Sequence, residues 1–225
     1  MMAEARAIFM FRLRVRFYRG EELKFISHLD IIRLWVRALR RAQIPLEYTE
    51  GFSPHPRISL AVPLSVGVTA DNELMDISIT KVVSPHWFMD TVNRQLPEGM
   101  KVLEATPISP NVSSLQSQVR FTQYQVAVKT DKTEEDVKTS IDCLLAQETL
   151  PWHHERDTGT RSYDIRHLID DIWLIEARTA GCLLGMRLRC DESGSGRPEQ
   201  VALALGFADY PEAIQRTKLL LGSHR

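Results

Sequence analysis

Phe9-Met10-Phe11-Arg12-Leu13-Arg14-Val15-Arg16-Phe17-Tyr18 alternates from Phe11 onward, with Phe11, Leu13, Val15 and Phe17 on one side and Arg12, Arg14, Arg16 and Tyr18 on the other. Successive strand residues point to opposite faces, so this period of two predicts a β-strand over residues 9–18 with one buried face and one basic face. Gly20 and the two acids after it make a turn. Ser27 then supplies the side-chain oxygen that caps a helix N-terminus, and Leu29, Ile32, Trp35, Val36 and Leu39 form an apolar stripe over a helix reaching about Ala42. Pro45 bars its continuation.

Working outward, short extended pieces at residues 46–48 and 57–63 flank a loop. Residues 73–80 alternate as a further strand, a helix is expected at 85–96, and a strand at 101–106 closes a βαββαβ order. Residues 109–118 turn to Pro, Ser, Asn and Gln, the composition of a linker. Beyond it come a strand at 120–129, an amphipathic helix at 134–147, extended pieces at 152–156 and 161–164, a hairpin from 172–177 and 182–190, and a short helix at 198–205. The order of elements recurs, short of one closing strand. The expected fold class is therefore α+β, with two tandem ferredoxin-like halves built on antiparallel sheets: residues 1–108, a linker at 109–118, and residues 119–225.

Of 225 residues, 44% are hydrophobic and 25% charged, which suits a globular chain and excludes a disordered tail. No apolar run reaches the roughly 18 residues of a membrane span, and Arg12, Arg14 and Arg16 interrupt the N-terminal apolar stretch too soon for a secretory signal, so no membrane association and a cytoplasmic location are expected. Cys143, Cys182 and Cys190 are too few and too scattered for a disulfide framework, a zinc site or an iron–sulfur site. No GxxxxGK[ST], GxGxxG, GxSxG or HExxH occurs, so phosphate-loop, dinucleotide, esterase and zincin chemistries lack their core residues. No cofactor and no metal are expected, and enzymatic activity is left open with non-enzyme favoured.

Net charge is −1 over the chain, yet residues 1–60 hold eleven Arg or Lys against six Asp or Glu, a balance of +5, and the remainder balances at −6. The basic half carries Arg12, Arg14 and Arg16 on one strand face. Arg33, Arg37, Arg40 and Arg41 fall at i, i+4, i+7 and i+8 on the helix, opposite its apolar stripe. Guanidinium groups pair bidentately with phosphate and stack on bases, so these seven arginines, with Arg57 of the loop that follows, predict RNA as a partner; a helix face salted by Asp30, Glu47 and Glu50 is the plainer alternative. Gly51, Phe52, Ser53, Pro54, His55, Pro56 and Arg57 form a polar loop stiffened by two prolines, in which Phe52 is expected to plug the core while His55 and Arg57 project. Ser27, His28 and Asp30 open the helix. His28 as general base and His55 as general acid would make a metal-independent ribonuclease, the rival reading; His28, Asp30 and His55 lack the spacing of a metal site. His153 and His154, adjacent on a strand, point to opposite faces and form no joint site.

Lys24-Phe25-Ile26-Ser27-His28-Leu29-Asp30, Arg33, residues 37–42, residues 51–58 and Pro63-Leu64-Ser65-Val66-Gly67-Val68 together resemble the bacterial radical SAM-linked protein family, most densely over residues 11–80. Thr158-Gly159-Thr160 leading to Tyr163-Asp164-Ile165-Arg166 also looks like that family. The resemblance implies a partner: a radical SAM protein encoded separately, since this chain has no CxxxCxxC. The tandem order is also similar, at fold level only, to RNA-binding proteins of the CRISPR-processing type. The function expected is an RNA-binding accessory protein acting with a radical SAM enzyme in tRNA or rRNA modification, with a protein-only adaptor as a further alternative.

Overall fold

The computed structural model describes residues 11–156 and 159–222, and the chain divides into two units at Gln118/Val119. Phe9, Met10 and Thr158, which the sequence reading uses, lie outside the described residues, as does the side chain of His154. The architecture is mixed α+β.

The first unit runs β1 (Phe11–Arg19), α1 (His28–Arg41), β2 (Ile58–Leu60), β3 (Val68–Ile79), α2 (Pro85–Asn93), β4 (Met100–Ile108) and a single turn, α3 (Leu115–Gln118). Its strands pair antiparallel in the order β2-β3-β1-β4, with Leu13 opposite Ile77 and Val15 opposite both Met75 and Ala105. The alternation in β1 places Leu13, Val15 and Phe17 in the core as its period of two requires. Ser27 caps α1, accepting from the Asp30 N–H at 3.2 Å. Trp35 of α1 is fully buried, with its ring edge-on to Phe17 at 5.0 Å between centroids.

The helix is rotated from expectation. Ile31, Trp35, Ala38 and Leu39 are its buried residues, whereas Leu29 in the first turn is exposed. Positions 31, 35, 38 and 39 form the stripe that meets the sheet, and Leu29 lies off it. Residues 109–118 are no free linker either. Leu115 and Gln118 are buried, and Gln116 Nε2 donates to Ser59 Oγ at 2.6 Å and to the Leu60 carbonyl at 2.8 Å, so the stretch folds onto the first unit.

The second unit holds β5 (Val119–Lys129), α4 (Glu134–Leu145), β6 (Pro151–Arg156), β7 (Gly159–Asp164), β8 (Ile169–Arg178), β9 (Gly181–Asp191), β10 (Gly194–Ser195), α5 (Pro198–Ala204) and β11 (Ala213–Leu221). Its sheet is antiparallel in the order β11-β5-β9-β8, with β10 also on β9, while β6 and β7 form a separate hairpin. Strand β11 pairs with β5 in a segment where the sequence suggests no clear strand. Thr133 and Asp136 close a reciprocal capping box on α4. Gly185 leaves room for the indole of Trp173, its cross-strand partner; a Cβ there would overlap the ring.

Cys143 is exposed, while Cys182 and Cys190 are buried and burial pushes both thiols up from their ordinary value. Alkylation of the native protein is therefore expected to modify Cys143 first. Mass spectrometry of protein labelled before and after denaturation reads this, and rapid native modification of Cys182 or Cys190 would contradict the packing of β9.

Candidate nucleic-acid interface

The basic face of β1 is already occupied. Asp76 on β3, 2% exposed at its side chain, takes Arg12 Nη2 at 2.7 Å and is gripped by Arg14 through Nε at 2.8 Å and Nη2 at 3.0 Å. Arg12 also donates to the Val112 carbonyl at 2.6 Å and Arg14 to Gln118 Oε1 at 3.1 Å, which clasps residues 112–118 over that face. Arg16 pairs with Glu104. The expectation that Arg12, Arg14 and Arg16 meet phosphate is narrowed on this point: Arg12 and Arg14 share one buried carboxylate and are only 17% exposed, while Arg16 pairs with Glu104 at the surface.

On α1 the arginines part company. Arg33 is drawn to Asp30 at 2.9 Å. The Ser27 hydroxyl and Arg33 together hold the Asp30 carboxyl below its ordinary value. The Ser27–Asp30 motif is thus a helix cap, with no ligand role needed to explain it. Arg37, Arg40 and Arg41, one to two turns further, are exposed. Arg41 donates to the Gln95 carbonyl at 2.7 Å, which brings exposed Arg94, at the C-cap of α2, into the same neighbourhood. Arg40 Nε donates to the Tyr48 hydroxyl at 3.2 Å, and its guanidinium lies 5.7 Å from the Tyr48 ring centroid. Tyr48 and Arg94 are the residues that sequence spacing missed: Tyr48 meets the stripe from another element, and Arg94 precedes the residue that Arg41 contacts.

Tyr48 leads into the Gly51–Arg57 loop, a hairpin closed by a Tyr48–Pro56 bridge. The Thr49 N–H donates to the His55 carbonyl at 2.8 Å, and the His55 N–H to Thr49 Oγ1 at 3.0 Å. Arg57 pairs with Glu47 at 3.1 Å. Gly51 turns the chain at φ +116°, a conformation that favours glycine. Phe52 is fully exposed, so the expectation that it plugs the core is overturned: the hairpin carries its tip away from the sheet. Pro54 and His55 are exposed beside it.

His28 and His55 are not brought together. His28 opens α1, and His55 belongs to the hairpin tied to Arg40, roughly 18 Å along the helix axis at 1.5 Å per residue. His28 lines a crevice of about 10 Å³ with Arg19 and Glu73, room for about one water. An acid–base pair acting on one phosphodiester needs both groups within hydrogen-bond reach of it, whereas these two histidines are carried by elements at opposite ends of α1. Among the described residues, no cluster of three His, Cys, Asp or Glu side chains converges, and no helix is long and apolar enough to cross a membrane.

The sequence profile of DUF2344, an uncharacterized protein conserved in bacteria, matches residues 12–198, and the chain belongs to that family. No curated protein matches it. Among solved structures, the chain is similar to a Cbf5-Nop10-Gar1 complex at 10% identity with a TM-score of 0.50, over 93% of this chain and 48% of that one. It also matches the archaeal box H/ACA sRNP Nop10-Cbf5 complex (12% identity, TM-score 0.48, 93% and 48% covered). A third match is an H/ACA RNP bound to a substrate RNA containing 2'-deoxyuridine (12%, 0.49, 93% and 47%). The chain spans about half the length of these relatives. At such identities the likeness is one of fold.

Proposed function

We propose that this DUF2344 protein is an RNA-binding accessory protein that uses the exposed face of α1 and its adjoining hairpin to hold tRNA or rRNA for a separate radical SAM enzyme. One observation carries the RNA reading: Arg37, Arg40 and Arg41 stand exposed on one face of α1, beside Tyr48 and a projecting Phe52, and exposed Arg94 adjoins in sequence the Gln95 carbonyl that Arg41 reaches. Guanidinium groups next to aromatic rings are the combination that pairs phosphate and stacks bases. The radical SAM partner is supported by the resemblance of residues 24–30, 51–58 and 63–68 to the radical SAM-linked family. The ferredoxin-like reading of each half is supported by the recurrence of one strand order, β2-β3-β1-β4 in the first unit and β8-β9-β5-β11 in the second.

Salt dependence tests the RNA reading. Each phosphate neutralised on a single strand contributes about −0.7 to the slope of log affinity against log salt, so four engaged arginines give a slope of about −2 to −3. Arg37→Gln with Arg41→Gln is expected to flatten it by about 1.4. A salt-independent affinity, or no binding to tRNA and rRNA fragments at about 50 mM salt, rejects the reading. The enzyme is tested separately, by capture of a radical SAM protein from the native cell extract on the full-length chain.

A further inference from the structure

We propose that hairpin 48–56 is a base-stacking site that selects unpaired nucleotides, so that the RNA held by the basic face is single-stranded there. This deepens the RNA-binding reading and rests on it.

The hairpin neck is fixed. The Tyr48–Pro56 bridge and the paired Thr49 and His55 hydrogen bonds hold it, and the Arg57 N–H donates to the Glu47 carbonyl at 2.8 Å one step below. The tip projects from this neck into open space: nothing lies within 4 Å of where a Cβ on Gly51 would stand. At that tip Phe52 presents its whole ring to water. A lone exposed phenyl ring is ordinary, but this one stands on a hydrogen-bonded hairpin whose base carries a second exposed ring, Tyr48, beside the arginines of α1, which is the arrangement a stacked base needs. Tyr48 at the base is also exposed, and Arg40 holds it by its hydroxyl and against its ring, which fixes one ring where the arginine stripe of α1 ends.

The chemistry names the ligand class. Every nucleobase has a π-face, so stacking on aromatic rings tolerates any sequence, but only where the base is free of its neighbours. In a duplex the bases are stacked on each other and the A-form major groove is too deep and narrow for side chains to read. A phosphate backbone running along Arg37, Arg41 and Arg40 would therefore deliver its bases to Tyr48 and Phe52 only as a single strand. Arg57, paired with Glu47, stays out of the count.

The test uses the full-length protein and an oligoribonucleotide of about 12 nucleotides with a fluorescent adenine analogue at its centre, alone or annealed to its complement. The single strand is expected to bind more tightly than the duplex, with the analogue's fluorescence quenched. Phe52→Ala is expected to weaken single-strand binding by about 5- to 150-fold and to remove the quenching, while Phe52→Trp retains both. Tyr48→Phe is expected to keep the stacking and Tyr48→Ala to lose it. Position 52 packs against nothing, so its variants remain folded, and thermal melts verify this. Equal affinity for strand and duplex overturns the stacking site. So does wild-type RNA affinity in both Phe52→Ala and Tyr48→Ala when Arg37→Glu weakens binding, and that result leaves the phosphate-binding face standing. If Phe52→Ala binds RNA normally but loses a copurifying protein, the tip is a protein contact and the proposal fails. A wild-type protein that binds neither RNA overturns this inference and the RNA reading together.

Discussion

Asp76→Ala is expected to destabilise the protein by about 3–5 kcal/mol, the usual cost of removing one partner from a buried charge cluster. The carboxylate is shared by two guanidinium groups, Arg12 at 2.7 Å and Arg14 at 2.8 Å, and all three side chains are mostly withdrawn from water. Without it, two positive charges stand side by side on one face of β1 with little screening solvent. Arg12 and Arg14 also anchor residues 112–118 through Val112 and Gln118, so the loss spreads to the segment that completes the first unit. For a chain of this size the cost corresponds to a fall of about 10 °C or more in melting temperature. Replacing the whole cluster with apolar residues of similar volume, for example Arg12→Met, Arg14→Met and Asp76→Leu together, is expected to recover much of it, because a buried ion cluster contributes little once its desolvation is counted. Thermal and urea denaturation monitored by circular dichroism decide the matter. A loss below about 1 kcal/mol for Asp76→Ala would mean that Arg12 and Arg14 reach solvent, and would return them to the phosphate-binding set.

The same cluster shows how far local sequence reaches. Alternation in β1 assigns its arginines to one face, since the pleat enforces a period of two, but it says nothing of what stands opposite; Asp76 is 64 residues from Arg12 and 62 from Arg14. The start of α1 is legible because Ser27 and Asp30 form a local cap, and its end because Pro45 follows. Leu29 lies off the buried stripe because an apolar arc fixes a helix's rotation only to the width of the arc, and Leu29 stands at its edge beyond partly buried Ile32 and Val36. Strand β11 was illegible for two reasons. A register shift between Arg216 and Lys218 breaks its alternation, and buried Arg216 puts a charge on its inward face. Residues 109–118 have loop composition yet pack, because Gln116 donates to Ser59 and Gln118 accepts from Arg14. Phe52 shows the opposite failure: its hydrophobicity argues for the core, and the hairpin neck, a backbone feature of residues 47–57, sends it outward.

Arg37→Glu with Arg41→Glu is expected to lower single-stranded RNA affinity by on the order of 100-fold or more at about 0.1 M salt. At that ionic strength a lost phosphate contact is worth about fivefold, and reversing a charge adds a repulsion to the loss, so two reversals compound beyond the roughly 25-fold of two deletions. The choice of residues follows from the pairing on α1. Arg33 shares its charge with Asp30, whereas Arg37 has no hydrogen-bond or ion-pair partner among the described residues and Arg41 donates only to the carbonyl of Gln95. Arg33→Glu is accordingly expected to weaken RNA binding less than Arg37→Glu, and the difference between the two separates a specific phosphate track from the general +5 charge of residues 1–60. Both reversed positions are exposed and lie off the Ile31, Trp35, Ala38 and Leu39 face, so Arg37→Glu should change stability by less than about 0.5 kcal/mol, and Arg41→Glu, which loses the Gln95 bond and puts an acid in the last turn of α1, by about 1–2 kcal/mol. Fluorescence anisotropy on wild type, the two single reversals and the double variant measures this. If Arg33→Glu and Arg37→Glu weaken binding equally, the half attracts RNA through its net charge alone, and the ordered stripe leading to Tyr48 and Phe52 loses its role.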